Sequence, residues 1–272
     1  MHPPNSQLAF LKLGGSLITD KTRASTPRKD VLARLAKEIA EAQETRPQLQ
    51  LVLGHGSGSF GHVPAAKHGT RDGVRTPEGW RGFAEVWRQA SALTRMVVES
   101  LHAAGLPAMV FSPSAAALAE DGKVTRWDLT PLRLALQAGL LPVVHGDVAF
   151  DLRRGGTVLS TEDVFAHLAR QLHPARILIA GIEPGVWADY PACTRILPEI
   201  TPQTPAASVR GSAATDVTGG MASKVAEMLR LVAEIPGLET LIFDGVQPGR
   251  VRDALLGARP GTRLFAPPEE LP

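Results

Sequence analysis

Residues 50–62, QLVLGHGSGSFGH, decide how the rest of the chain is read. Leu51, Val52 and Leu53 form a short continuous apolar run, the pattern of a parallel strand buried on both faces, and the run breaks at once into glycine, serine and histidine. Glycines directly after a buried strand let the backbone turn sharply and bring its N–H groups against a ligand. Amides gathered in such a concavity hold an oxyanion without a side-chain charge, and His62 at the far edge adds a donor that can carry a proton. The stretch reads as a phosphate cradle or, more plainly, as a glycine-rich turn with a satisfied surface histidine. The flanking chain has to decide.

Upstream, residues 7–13 are a mainly apolar strand with Lys12 near its end, and Gly14, Gly15 and Ser16 follow directly. A lysine leaving a strand beside two glycines can reach a phosphoryl group lying on exposed amides. Lys21 stands nine residues on, among Thr19, Asp20 and Thr22, where solvation is the simpler reading. Over residues 28–45, Val31, Leu32, Leu35, Ile39 and Ala42 share one helical face. Strand, glycine loop, helix, strand, glycine loop predicts a right-handed parallel crossover that leaves both loops at one edge of the sheet.

Downstream, Pro64, Gly69 and Gly73 argue against a long helix immediately after the cradle, and Pro77 opens one. From 78 to 104, Trp80, Phe83, Val86, Trp87, Ala90, Leu93, Val97 and Leu101 recur at three- and four-residue steps. Most of these positions read as core. Phe83, Val86 and Trp87 lie in an aromatic-rich end of the helix that can wall a pocket for an apolar ligand. A strand follows at 108–111, helices at 113–119 and 132–138, and a buried strand at 141–145. Residues 151–159, DLRRGGTVL, predict a hairpin turning at Gly155-Gly156. Thr161, Glu162 and Asp163 begin a helix through Leu172, as N-terminal capping residues or as carboxylates that orient lysines. The second half reads as a strand at 176–180, a loop from Glu183, irregular chain over 191–214, a helix carrying Lys224, a strand at 240–243, a helix at 248–256 and a strand at 262–265. Gly219 and Gly220 at the start of the Lys224 helix expose amides to a phosphate.

With 272 residues and 44% apolar composition the chain can bury a full core. The alternation predicts an α/β fold, a three-layer αβα sandwich around a mainly parallel sheet. We expect one domain over 1–272, with an acceptor-binding lobe at about 1–175 and a nucleotide-binding lobe at about 176–272. The net charge of +2, without a basic stripe interleaved with aromatics, argues against nucleic acid as a partner. The single cysteine, Cys193, excludes an internal disulfide and fits a reducing compartment. No secretory pattern or span of bilayer length is legible, so a cytoplasmic location without membrane association is expected.

Gly56, Gly58 and Gly61 match the spacing G-x-G-x-x-G used for dinucleotides, but Pro64, Gly69 and Gly73 oppose the helix that should open there. His55-Gly56-Ser57-Gly58 resembles an esterase oxyanion loop, yet no serine occupies a G-x-S-x-G elbow, and no Walker A sequence occurs. Taken together, KLGGSLITDK at 12–21, HGSGSFGH at 55–62 and DVTGGMASK at 216–224 resemble the amino acid kinase superfamily and, within it, the isopentenyl phosphate kinases. The resemblance extends to the closing GTRLF at 261–265, and the histidine ending the cradle is its most specific mark.

The resemblance implies transfer of the ATP γ-phosphoryl group to isopentenyl phosphate, with magnesium carried by ATP rather than by a protein site. Carried over residue by residue, it assigns Lys12 and Lys224 to the transferring phosphoryl and the ATP phosphates, Lys21 to the transition state, and Gly14, Gly15, Ser16, Gly58, Asp216, Gly219 and Gly220 to the nucleotide phosphates. Glu183 would border the adenosine, while Gly56, Ser57, His62 and Thr161 would hold the acceptor, with Phe83, Val86 and Trp87 around its prenyl tail. A homodimer is the expected assembly. The chain departs from the family at Ser57, where three consecutive glycines are usual, and at Ser160-Thr161-Glu162-Asp163, where S-G-D-D is usual. The second departure leaves open which carboxylate, Glu162 or Asp163, organises the lysines. A fosfomycin-type phosphonate kinase of the same fold and a non-catalytic nucleotide-binding regulator are the alternatives.

Overall fold

Alternate residues of the first strand face opposite cores. In β1 (Asn5–Leu13), Leu8 and Phe10 join one apolar cluster while Ala9, Leu11 and Leu13 join the other. That division, imposed by the two-residue period of a strand, makes β1 the central wall of a layered molecule. The computed structural model describes residues 5–204 and 220–267.

After β1 the chain makes a single helical turn, α1 (Gly15–Ile18), then α2 (Lys29–Thr45), β2 (Gln50–His55), α3 (Gly58–His68) and the long α4 (Pro77–Ala103). Next come β3 (Ala108–Val110), α5 (Pro113–Ala116), β4 (Leu118–Glu120), β5 (Lys123–Arg126), α6 (Thr130–Gln137), β6 (Leu141–His145), β7 (Asp147–Asp151), β8 (Gly155–Leu159) and α7 (Thr161–Leu172). The second half adds β9 (Pro174–Gly181), β10 (Val186–Trp187), β11 (Ile196–Leu197), β12 (Glu199–Ile200), α8 (Gly220–Glu234), β13 (Glu239–Asp244), α9 (Arg250–Leu255) and β14 (Thr262–Phe265).

Eight strands form the main sheet in the order β12-β14-β13-β9-β1-β2-β6-β3. Neighbours from β13 through β9, β1, β2 and β6 to β3 are parallel, and β13 and β14 pair antiparallel. The fold is thus an α/β layered sandwich around a mainly parallel sheet. One apolar face packs residues of α6, α7 and α8, including Leu132, Phe165 and Met228, and the other packs residues of α2, α4 and α9, including Leu35, Leu93 and Val251. The seam between β1 and β9 also divides the sheet into a half built from early strands and a half built from late ones. Among the described residues no helix is long and apolar enough to cross a membrane.

Three local expectations need correction. A helix does open at the cradle: α3 runs from Gly58 with Pro64 inside it. The proline removes only the amide that would bond the Phe60 carbonyl, and Gly69, in the left-handed region at φ 59°, ends the helix rather than forbidding it. The hairpin of β7 and β8 turns at residues 152–154, and Gly155 and Gly156 already pair with Asp151 and Phe150. This hairpin belongs to a separate four-stranded sheet, β5-β4-β7-β8. The predicted helix at 113–119 is shorter, because Leu118 begins the β4 edge of that sheet.

Candidate active site: a lysine-lined cleft between two glycine loops

Parallel pairing sets the site. Leu13 stands beside His55 in the β1–β2 register and beside Ala180 in the β1–β9 register, so all three strands end at one level and their loops meet there. The Gly14 N–H donates to the Ala180 carbonyl (2.7 Å), and the Gly56 N–H donates to that of Leu13 (3.0 Å). The two glycine loops lie back to back. A Cβ at Gly15 would come within 2.5 Å of the Gly58 amide nitrogen, and one at Gly58, where φ is +49°, would come within 2.1 Å of Thr19 Oγ1. Only residues without side chains permit that approach.

The cleft above these loops is lined by Lys12, Gly14, Gly15, Ser16, Lys21, Gly56, Ser57, His62, Thr161, Glu183 and Lys224, among others. Buried Lys12, at the end of β1, donates to Glu162 Oε1 (2.5 Å). Burial alone would push the Glu162 carboxyl up, but the charges of Lys12 and Lys224 outweigh it and hold the group below its ordinary 4.5. Asp163 does a different job. Its Oδ2 accepts from the Ser160 N–H (2.8 Å) and hydroxyl (2.7 Å), while its own N–H donates to Ser160 Oγ (3.1 Å), a reciprocal cap on α7. Burial pushes its carboxyl up despite those bonds. Of the two carboxylates, Glu162 is therefore the one that pairs with a lysine.

Lys21 sits in a turn fixed by Asp20, whose Oδ1 accepts from the Thr22 hydroxyl (2.6 Å) and N–H (2.9 Å). Those bonds, and then that from Arg23, hold the Asp20 carboxyl near 2. The exposed Lys21 lines the cleft from this turn. His62 and Gly61 on α3 line the wall beside Ser57. The Thr161 hydroxyl donates to the His55 carbonyl (2.7 Å), tying α7 to the end of β2. Under the loops, the His55 and His145 rings stack with centroids 5.4 Å apart, and burial followed by the charge of His145 lowers His55 to about 3.

Several anticipated residues fall elsewhere. Gly58 shapes the loop without lining the cleft, and Gly220 begins α8 outside the lining. Asp216 and Gly219 lie outside the described residues. Glu183 lines the cleft and accepts from the Trp187 indole N–H (2.7 Å). Val86 and Ala90 of α4 face the cleft. Phe83 is one layer behind, buried against Trp80 and Phe150 (centroids 5.3 and 5.4 Å). Trp87 is 45% exposed and off the wall, a correction to its expected place: one residue along a helix turns the side chain by about 100°. Arg71, Asp147 and Val158 also line the cleft, and no spacing or motif in the sequence singled them out.

Residues 7–244 match the family described as the amino acid kinase family. The chain is also 34% identical to the isopentenyl phosphate kinase of Methanothermobacter thermautotrophicus over 94% of its length and 98% of that protein. This chain belongs to the amino acid kinase family, with the isopentenyl phosphate kinases. The isopentenyl phosphate kinase of Haloferax volcanii is 36% identical over 90% of this kinase and 98% of its own length. A crystal structure of an isopentenyl phosphate kinase superposes with a TM-score of 0.81 at 32% identity, covering 95% of this chain and 100% of the other. An isopentenyl phosphate kinase substrate complex superposes at 0.76 and 25% identity, covering 94% and 99%.

Proposed function

We propose that this kinase transfers the γ-phosphoryl group of ATP to isopentenyl phosphate, giving isopentenyl diphosphate and ADP. What carries the reading is the gathering of Lys12, Lys21 and Lys224 in one cleft with Ser57 and His62. An acceptor phosphate is largely ionised near neutral pH, so an oxygen of it can attack the γ-phosphorus without a general base. The bond from that phosphorus to the β,γ-bridging oxygen breaks, and ADP leaves with the electron pair. The obstacle is anion meeting anion. Like unit charges 4 Å apart repel by about 4 kcal/mol at an effective dielectric near 20, and a phosphate pair carries several such terms. Lysine ammonium groups and fixed backbone amides offset them without reorganising.

In this reading Lys12 and Lys224 hold the transferring group, with Glu162 fixing Lys12 in its buried position. Lys21 stabilises charge in flight, Gly14, Gly15 and Ser16 carry nucleotide phosphates, and Ser57 and His62 hold the acceptor. The acceptor then belongs to the half at about 1–175 and the nucleotide to that at about 176–272. Magnesium enters on the nucleotide as MgATP. A homodimer in the cytoplasm completes the proposal, with sedimentation and cell fractionation as its checks. The isopentenyl phosphate kinases among the relatives disfavour a phosphonate acceptor. An ADP-release assay with isopentenyl phosphate and fosfomycin side by side tests this: turnover of the first is expected, and turnover of the second alone, or of neither, would reject it.

A further inference from the structure

Arg71 is a cleft cation to which the reaction described above assigns no task. Its backbone is pinned: the Arg71 carbonyl accepts from Arg154 Nη1 (3.2 Å) and from the Thr157 hydroxyl (3.0 Å), and the Val74 N–H donates to the Arg154 carbonyl (2.9 Å). The loop after α3 is thereby held against the β7–β8 hairpin. The Arg71 side chain lines the cleft beside Ser160, Glu162 and Lys224 and also walls a polar side cavity of about 410 Å³. Its Nη1 is shielded from solvent and has no hydrogen-bond partner among the described residues. Asp163 lies close enough for the Arg71 charge to lower its carboxyl, yet its Oδ2 accepts from Ser160 instead.

A shielded guanidinium donor without an acceptor is uncommon, because the lost hydration is not replaced. It is expected where the acceptor arrives with a ligand, and a planar fork of N–H groups suits phosphate oxygens. Arg71 lies in the loop that joins α3, which carries His62, to α4, which carries Val86, and all three residues line the cleft. Resting on the activity proposed above, we infer that Arg71 is a further ligand of the acceptor, its Nη1 donating to a phosphate oxygen of isopentenyl phosphate.

The test is to titrate isopentenyl phosphate into the full chain and its Arg71→Ala and Arg71→Lys variants by calorimetry, and to measure turnover of each. Arg71→Ala should raise both Kd and KM for isopentenyl phosphate about 10- to 100-fold, the loss expected of one charge-assisted hydrogen bond, while the KM for ATP stays within about twofold. Guanidinium ion at millimolar concentration should restore part of the affinity, which a merely structural role would not allow. Arg71→Lys keeps the charge without the fork, should fall between, and carries the test if the alanine variant does not fold. An unchanged acceptor affinity in a folded variant, or an equal rise for ATP, overturns the assignment. A wild type that binds isopentenyl phosphate without phosphorylating it would reject the activity and still leave the affinity ratio to judge Arg71; one that does not bind it rejects both.

Discussion

Replacing Glu162 by glutamine would leave Lys12 buried beside a neutral amide. Both side chains of this pair are less than a tenth exposed, at 7% and 8%, so solvent cannot take over the lost contact. Breaking a buried pair from one side costs about 3–5 kcal/mol, and Glu162→Gln should lower stability by that amount in a urea titration. The pH dependence has a definite sign. Glu162 is held below 4.5 in the fold, so its contribution is complete above the unfolded value and disappears as pH falls through the lower folded one. The advantage of the wild type over the variant should therefore persist at neutral pH and shrink only in acid. His62 lines the cleft together with Ser57, and in the proposed reading it holds the acceptor rather than the nucleotide. His62→Ala should cost about 10²–10³ in kcat/KM for isopentenyl phosphate, as loss of one transition-state donor does, while ATP affinity measured by calorimetry survives.

At the level of elements, the proposed function makes α4 the wall that limits what can lie beyond the acceptor phosphate. Its Val86 and Ala90 face the cleft, Phe83 backs them, and Trp87 points away. One methylene in an apolar pocket is worth only about 1–3 kcal/mol, so exclusion of a longer prenyl tail must come from bulk. Val86→Ala with Phe83→Ala should admit longer prenyl phosphates in a turnover panel, whereas Trp87→Ala should leave the preference as it was. A preference that follows Trp87 instead would place the tail on the other side of the helix. The glycine loops make the same point about elements. Gly15 and Gly58 are far apart in the chain, yet a methyl group on either would collide with the neighbouring loop.

Over the whole molecule, two apolar layers hold the strands whose ends build the cleft. Leu35 of α2 is fully buried in one layer and does not line the cleft. Leu35→Ala should cost about 2–5 kcal/mol of stability, read from denaturant midpoints, with kcat per folded molecule unchanged. Much of this architecture was legible in the chain. The apolar run at Leu51–Leu53 and the periodicity of α2 and α4 report burial directly, because strand and helix periods are local properties of the backbone. The glycine and lysine motifs likewise marked residues that meet at one cleft, since glycines next to strands let two loops approach closely. Three things were not legible. Pro64 sits inside α3 because packing and a glycine terminus stabilise a helix that propensity alone disfavours. The choice between Glu162 and Asp163 turned on which carboxylate caps α7 and which meets Lys12, 150 residues away in sequence. Arg71 reached the cleft through a loop pinned by Arg154 and Thr157. The sequence by itself determined the order of elements and the kind of chemistry, because those depend on near neighbours. Which side chains share the cleft was decided by the tertiary structure, because distances between remote residues are set by sheet register and layer packing.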